Sequence, residues 1–263
     1  MNTLIVIPAR YQSSRFPGKP LALLQGKPMI WHVWSRATQI KMADKVIVCT
    51  EDDRILKVVS EFGGEVVMTS KEHHTGSDRV AEVAGLYPEF QLVVNLQGDL
   101  PLFSPLVIDR LIQEGGRWIE SGQADLVTLC AKIDLEEEIF SPNTVKLVRN
   151  SIGNILYFSR SPIPHIERGT PLSSESGFLK HYGVYLYHRE FLLKTANCPE
   201  GNLEKRERLE QLRVLEAGGS IIRAVEIASE EAKQFCEVNT PSDLVCADAN
   251  LSSQILRERN PTI

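Results

Sequence analysis

Three cations stand close together near the start of the chain, Arg10, Arg15 and Lys19, in the stretch Pro8-Ala-Arg-Tyr-Gln-Ser-Ser-Arg-Phe-Pro-Gly-Lys-Pro20. Guanidinium and ammonium groups on a loop of small residues can neutralise a polyphosphate. The plainer alternative is a solvated basic loop; against it stands the apolar, regular sequence on both sides. Two common phosphate motifs are excluded. Gly18-Lys19-Pro20 lacks the Ser or Thr and the glycine spacing of a P-loop, and no G-x-G-x-x-G occurs. The cations must therefore act as side chains on an extended loop. A second constellation is Gln97-Gly98-Asp99, directly after the apolar run Leu92-Val-Val-Asn-Leu96. A carboxylate just past a buried strand, beside a glycine that allows close backbone approach, suits a hard cation such as Mg²⁺ better than a simple turn cap. Cations on one side and a metal-holding carboxylate on the other are what phosphoryl or nucleotidyl transfer needs. His73 and His74 are discounted as a metal pair, because adjacent residues on a loop face different ways.

The elements that must position these groups can be read from the hydrophobic pattern. Residues 4–7 are continuously aliphatic, as a strand buried on both faces requires, and residues 45–50, 65–68 and 92–96 repeat the pattern. Between them, residues 28–40 and 76–86 carry apolar positions at helical spacing. Glu51-Asp-Asp-Arg opens a further helix that Phe62-Gly-Gly64 stops. This β-α-β-α-β-α-β order predicts a doubly wound, mostly parallel sheet with helices on both faces. Ligands in such sheets sit beyond the carboxyl ends of the strands, where Arg10, Thr50 and Asp99 fall. Further on, a helix over 108–118, strands over 125–131, 145–148, 155–158 and 183–187, and a helix over 189–195 are expected. A charged helix over 203–217, a strand over 221–227 and a helix over 241–249, capped by Asn239 or Thr240, complete the reading. Residues 162–177, rich in Pro, Ser and Gly, read as a mobile loop. One domain is expected over residues 1–263. Its nucleotide-binding half would span about 1–130, a sugar-binding, lid or dimerisation part about 131–225, and a returning segment with a terminal helix the rest.

Bulk properties bound the partners. A net charge of -5 argues against wholesale nucleic-acid binding and makes the basic loop a local anion site. No apolar run approaches the length of a membrane span, and Met1 leads straight into the first strand without the layout of a signal peptide. Five cysteines, odd in number and never in C-x-x-C spacing, suit a reduced cytoplasm and no metal cluster.

The chain resembles the 3-deoxy-manno-octulosonate cytidylyltransferase (CMP-Kdo synthetase) family, of glycosyltransferase-A-like fold. The resemblance runs over about residues 5–244 and rests on several motifs. They are Pro8-Ala-Arg-Tyr, Ser14-Arg-Phe-Pro-Gly-Lys-Pro20, Thr75-Gly-Ser-Asp-Arg79, Gln97-Gly-Asp99, Leu156-Tyr-Phe-Ser-Arg160, His181-Tyr-Gly-Val-Tyr185, Leu209-Glu-Gln-Leu-Arg213 and Val238-Asn-Thr-Pro241. It implies transfer of CMP from CTP to the anomeric hydroxyl of a 3-deoxy-octulosonate, with release of pyrophosphate, in a cytoplasmic homodimer that serves lipopolysaccharide synthesis. Carried over, Arg10, Arg15 and Lys19 would bind the triphosphate, with Lys19 stabilising charge at the α-phosphate. Ala9 and Gln97 would contact base or ribose, and Ser77 and Arg79 would line the same pocket. Asp99 would hold Mg²⁺. Arg160, His181, Tyr185, Glu210 and Gln211 would hold the sugar acid. Two positions depart from the family pattern. Leu100 follows Asp99 where Glu is usual, and Asn239 replaces the Asp that supplies a second metal carboxylate. A neutral amide oxygen there implies weaker Mg²⁺ binding, with Glu237, two residues earlier, as a partial substitute. The resemblance leaves open the 8-amino analogue of the octulosonate, another acidic sugar such as a nonulosonate, or a catalytically weakened nucleotide-binding homologue.

Overall fold

An aliphatic run with no polar alternation has to be covered on both faces, and β1 (Thr3–Pro8) is: all six residues are buried. The computed structural model describes the whole chain except Ser14, His74, Arg168, residues 170–176 and residues 260–263, so half of the loop expected over 162–177 lies outside the described residues. After β1 the chain makes a small hairpin of β2 (Leu23–Leu24) and β3 (Lys27–Pro28), then α1 (Met29–Ala37). β4 (Lys45–Thr50), α2 (Asp53–Glu61), β5 (Val66–Met68), α3 (Gly76–Leu86) and β6 (Leu92–Leu96) follow as expected. Asp52 caps α2 by accepting from the Arg54 N–H, and Thr75 and Asp78 form a reciprocal capping box on α3. β1 lies between β4 and β6 and is parallel to both.

The rest of the chain extends the same sheet rather than building a separate one. α4 (Pro105–Glu120) leads to β7 (Leu126–Lys132), and α5 (Glu136–Phe140) to the hairpin β8 (Lys146–Arg149) and β9 (Ile155–Ser159). β10 (Leu179–His188) then runs antiparallel between β6 and β7. α6 (Arg189–Ala196), α7 (Asn202–Glu207), α8 (Leu212–Glu216), β11 (Ile222–Ile227), α9 (Ser229–Ala232) and α10 (Pro241–Arg259) complete the order. The sheet reads β11-β7-β10-β6-β1-β4-β5, with β8 and β9 off its path. One large apolar cluster covers each face, the first built on Ile5, Ile7, Val94 and Ile108, the second on Leu4, Val6, Val80 and Leu126.

Three expectations are corrected. The helix predicted over 203–217 is broken: Arg208 takes a left-handed conformation with φ 56°, and Leu209, Glu210 and Gln211 form a turn between α7 and α8. No Gly or Pro marks that break. It is held by Arg213, which forks onto buried Glu204 and also reaches Asp78. β10 begins at Leu179 rather than 183, its start hidden by the polar Lys180 and His181. α10 continues to Arg259 rather than ending at 249, and Thr240 caps it, accepting from the Asp243 N–H.

Candidate active site

The loop after β1 leaves the sheet at its carboxyl edge. Its start is fixed by the Ala9 N–H, which donates to the Cys49 carbonyl at 2.8 Å, and its far side closes when the Gly18 N–H donates to the Tyr11 carbonyl at 2.8 Å. Gly18 is required there: its φ is 72°, and a Cβ would meet the Tyr11 ring at 3.2 Å. The loop walls a cavity of about 880 Å³. Ala9, Arg10, Arg15, Lys19, Gln97, Asp99 and Asn239 all line it, so seven of the predicted site residues meet at one place. Tyr11 and Arg54 join them. The Arg54 guanidinium lies over the Tyr11 ring, 3.2 Å from its centre, and grips Asp52 with two hydrogen bonds. Arg54 was missed because it sits inside a helix, where charged residues usually mark a solvated face.

The charges in the cavity interlock. Lys19 Nζ donates to Asp99 Oδ2 at 2.7 Å and to the Val238 carbonyl at 2.8 Å. Arg15 donates to Asn239 Oδ1 at 2.8 Å, and Asn239 Nδ2 donates to Glu237 Oε1 at 2.9 Å. Burial, and then the neighbouring Asp99 charge, hold the Glu237 carboxyl above its ordinary range. Asp99 Oδ1, by contrast, is buried without any hydrogen-bond partner. Leu100 is buried in the core, as a residue turned away from the cavity should be.

A second cluster of polar groups lies behind Gln97. Gln97 Nε2 donates to Asn95 Oδ1 at 3.0 Å, Asn95 Nδ2 to Ser77 Oγ at 3.2 Å, and the Ser77 N–H to Glu210 Oε2 at 3.1 Å. The Tyr185 hydroxyl donates to Gln211 Oε1 at 3.1 Å, while Gln211 Nε2 is buried with no partner. The His181 ring packs 5.4 Å from the Tyr185 ring, and its Nε2 lies 2.9 Å from Thr128 Oγ1. Burial pushes His181 down to about 3, so the ring is neutral. The Thr128 hydroxyl also lies near the Tyr182 and Val184 carbonyls and has only one proton. Giving it to a carbonyl makes Nε2–H the donor and leaves Nδ1 as the free acceptor. Burial raises the Glu210 carboxyl, against the hydrogen bonds from Ser77 that lower it. Asn95, Thr128 and Tyr187, whose hydroxyl lies 3.4 Å from Ser77 Oγ, were not singled out from the sequence. The signal for two of them is a polar residue inside an otherwise aliphatic strand.

Two predicted residues stand elsewhere. Arg79 does not line the cavity: its side chain is 1% exposed and pairs with Glu51 at 3.0 Å, on the inner side of α3. Arg160, just past β9, gives Nε to the Glu207 carbonyl and Nη1 to the Pro142 carbonyl. Fully buried Lys146 binds the Arg160 carbonyl along with those of Ser141 and Thr144.

A family model described as Cytidylyltransferase matches residues 4–227. The chain belongs to the cytidylyltransferase family. It is 45% identical over 255 residues to the 8-amino-3,8-dideoxy-manno-octulosonate cytidylyltransferase of Shewanella pealeana, covering 96% of this chain and 99% of that one. It is also 45% identical over 251 residues to the 3-deoxy-manno-octulosonate cytidylyltransferase of Geobacter sulfurreducens, covering 93% and 97%. Among solved structures, CMP:2-keto-3-deoxy-manno-octonic acid synthetase complexed with CTP matches with a TM-score of 0.85 at 40% identity, over 97% of this chain and all of that one. The glycosyltransferase-like nucleotide-binding fold expected from the motifs is therefore the fold observed.

Proposed function

We propose that this chain transfers CMP from CTP to the anomeric hydroxyl of 3-deoxy-manno-octulosonate. The anomeric hydroxyl gives up its proton to solvent as its oxygen attacks the α-phosphorus, the bond from that phosphorus to the bridging oxygen of the β-phosphate breaks, and pyrophosphate leaves. The observation that carries this reading is the meeting of Arg10, Arg15 and Lys19 with Asp99 in one cavity, with the buried polar cluster of Glu210, Gln211 and Tyr185 behind it. In this reading the three cations receive the triphosphate, and Lys19 leaves Asp99 to neutralise charge at the α-phosphate. Ala9 lies against the nucleoside, Gln97 stands between nucleotide and sugar, and the Tyr185 to Gln211 pair and His181 Nδ1 hold sugar hydroxyls.

Mg²⁺ fits the same cavity on one count: Asp99 Oδ1 is buried, bears charge and lacks a partner. No group of three or more His, Cys, Asp or Glu able to hold a metal exists among the described residues. A Mg²⁺ ion held by one or two carboxylates and completed by substrate phosphates is consistent with that. Asp99 would hold it, with Asn239 Oδ1 or Glu237 beside it, and the ion would offset charge on the phosphates. The 8-amino octulosonate is the second reading. Relatives of both names are equally similar, and Glu210, held by neutral donors, could pair with an ammonium. No helix among the described residues is long and apolar enough to cross a membrane. We place the enzyme in the cytoplasm, as a homodimer on the lipopolysaccharide branch, on the family resemblance.

The deciding experiment is pyrophosphate release from CTP with a panel of sugar acids. Turnover on the octulosonate supports the first reading, and turnover only on its amino analogue or a nonulosonate redirects the substrate. CTP binding with no turnover on any sugar would refute the enzymatic reading.

A further inference from the structure

Arg79 is a full charge at 1% exposure, which a fold tolerates only when the charge is paired and hydrogen-bonded. Its Nη1 donates to Thr69 Oγ1 and, at 3.2 Å, to the Ser70 carbonyl. Its Nη2 forms an ion pair with Glu51 Oε2 at 3.0 Å, at an angle outside hydrogen-bond geometry. The other oxygen of the same carboxylate, Glu51 Oε1, accepts the backbone N–H of Tyr11 at 3.2 Å. Tyr11 in turn accepts the Gly18 N–H and carries the stacked Arg54. One carboxylate thus joins a buried guanidinium on α3 to the first residue of the turn that carries the cations. A solvated Glu51 would be free to change rotamer, whereas one gripped from below has a single place to put Oε1.

We propose that Arg79 is a positioning residue for the cation loop: through Glu51 it fixes the backbone at Tyr11, and with it the places of Arg10, Arg15 and Lys19, without touching the nucleotide. This rests on the reading that the loop binds the CTP triphosphate. It replaces a direct contact, which the sequence motif suggested, with an indirect hold that acts on one substrate only. The sugar cluster hangs on Asn95, Ser77 and Gln211, none of which bonds Arg79 or Glu51.

The test uses Arg79→Met, Glu51→Gln and the double variant, with CTP binding followed by calorimetry and both Michaelis constants by pyrophosphate release. Each single variant should weaken CTP binding about tenfold, the size of one lost charge-assisted hydrogen bond. The KM for the sugar acid should stay within about twofold. The double variant should bind CTP no more weakly than the worse single one, because the two residues act in series. If Arg79→Met does not fold, Glu51→Gln alone decides the split between the two substrates. Additive losses would mean that Arg79 touches the nucleotide itself, and equal rises in both KM values would mean a general structural role; either overturns the proposal. Wild type that bound no CTP would refute the reading of the cavity. Wild type that bound it, with the variants binding equally well, would refute the role of Arg79 alone.

Discussion

Gly98 has no Cβ because there is no room for one. A Cβ built on it would lie 2.5 Å from the Pro8 carbonyl oxygen, 3.4 Å from the Pro8 carbonyl carbon and 3.5 Å from the Ala9 Cα. A relaxed carbon-to-oxygen contact is about 3.3 Å, so Gly98→Ala must open the gap by roughly 0.8 Å. Pro8 is held in register with Cys49 inside a fully buried strand and will yield least. The turn of Gln97 and Asp99 therefore moves. The same shift applied to the Lys19 to Asp99 contact, 2.7 Å in the native cavity, takes it out of hydrogen-bond range. It also strains the bond from the Val238 N–H to the Asp99 carbonyl, 2.8 Å long. Overpacking of this kind costs about 1–3 kcal/mol, and at about 2–4 °C per kcal/mol for a chain of this size the melting temperature should fall by about 2–12 °C. Misplacement near 1 Å in a reacting site costs about a hundredfold in rate. We expect kcat/KM to fall by roughly 30- to 100-fold. Calorimetric melting and pyrophosphate release from CTP measure the two effects on one preparation. A Gly98→Ala protein with native melting temperature and native kcat/KM would show that the strand exit and the Asp99 turn are not packed as described.

Three other perturbations have worked-out signs. His181 is held down at about 3 in the fold against 6.5 unfolded, so its contribution to stability is complete above pH 6.5 and is lost as the pH falls towards 3. His181→Gln does not titrate, so its urea midpoint should fall less steeply than wild type between those limits; parallel curves would contradict the burial of the ring. Arg213→Met leaves the carboxylate of Glu204, 3% exposed, without its fork, at a cost of about 3–5 kcal/mol. Because α8 follows directly on Glu210 and Gln211, KM for the sugar acid should rise while KM for CTP holds, and the opposite split would sink this account. Asn239→Asp adds a negative charge to the cavity that Asp99 lines, next to Glu237. If Mg²⁺ binds there, the variant should reach half its maximal rate at lower Mg²⁺, and an unchanged Mg²⁺ curve would remove Asn239 from the metal site.

The central strands β1, β4 and β6 and the cation loop were legible because burial on two faces leaves an apolar run and because loops begin where such runs end. α3 was legible to the residue, since Gly76 and Leu86 bound a helical pattern that Thr75 caps. What could not be read was set by long-range charge. The break at Arg208 has no Gly or Pro to announce it and depends on Arg213 finding Glu204 and Asp78, the latter on another helix. Arg79 sits in a motif beside Ser77, and no spacing rule distinguishes a guanidinium that faces a cavity from one that turns inward to Glu51. Asn95 looked like one polar residue in a buried strand, and its partners, Gln97 and Ser77, become neighbours only once β6 and α3 are packed.

That buried asparagine also fixes which atom Gln97 offers to the cavity. A carboxylate can only accept hydrogen bonds, and Glu210 accepts the N–H of Ser77. The Ser77 hydroxyl accepts from Asn95 and has the Tyr187 hydroxyl 3.4 Å away, which places Nδ2 of Asn95 towards Ser77 and Oδ1 towards Gln97. Gln97 then donates through Nε2, leaving its carbonyl oxygen as the atom on the cavity side. Gly76 lies beside it, where a Cβ would make an ordinary contact of 3.6 Å with Gln97 Oε1. The acceptor presented beside the nucleotide loop is thus set by a chain of amide and hydroxyl groups that runs through Ser77 to Glu210 in the other cluster.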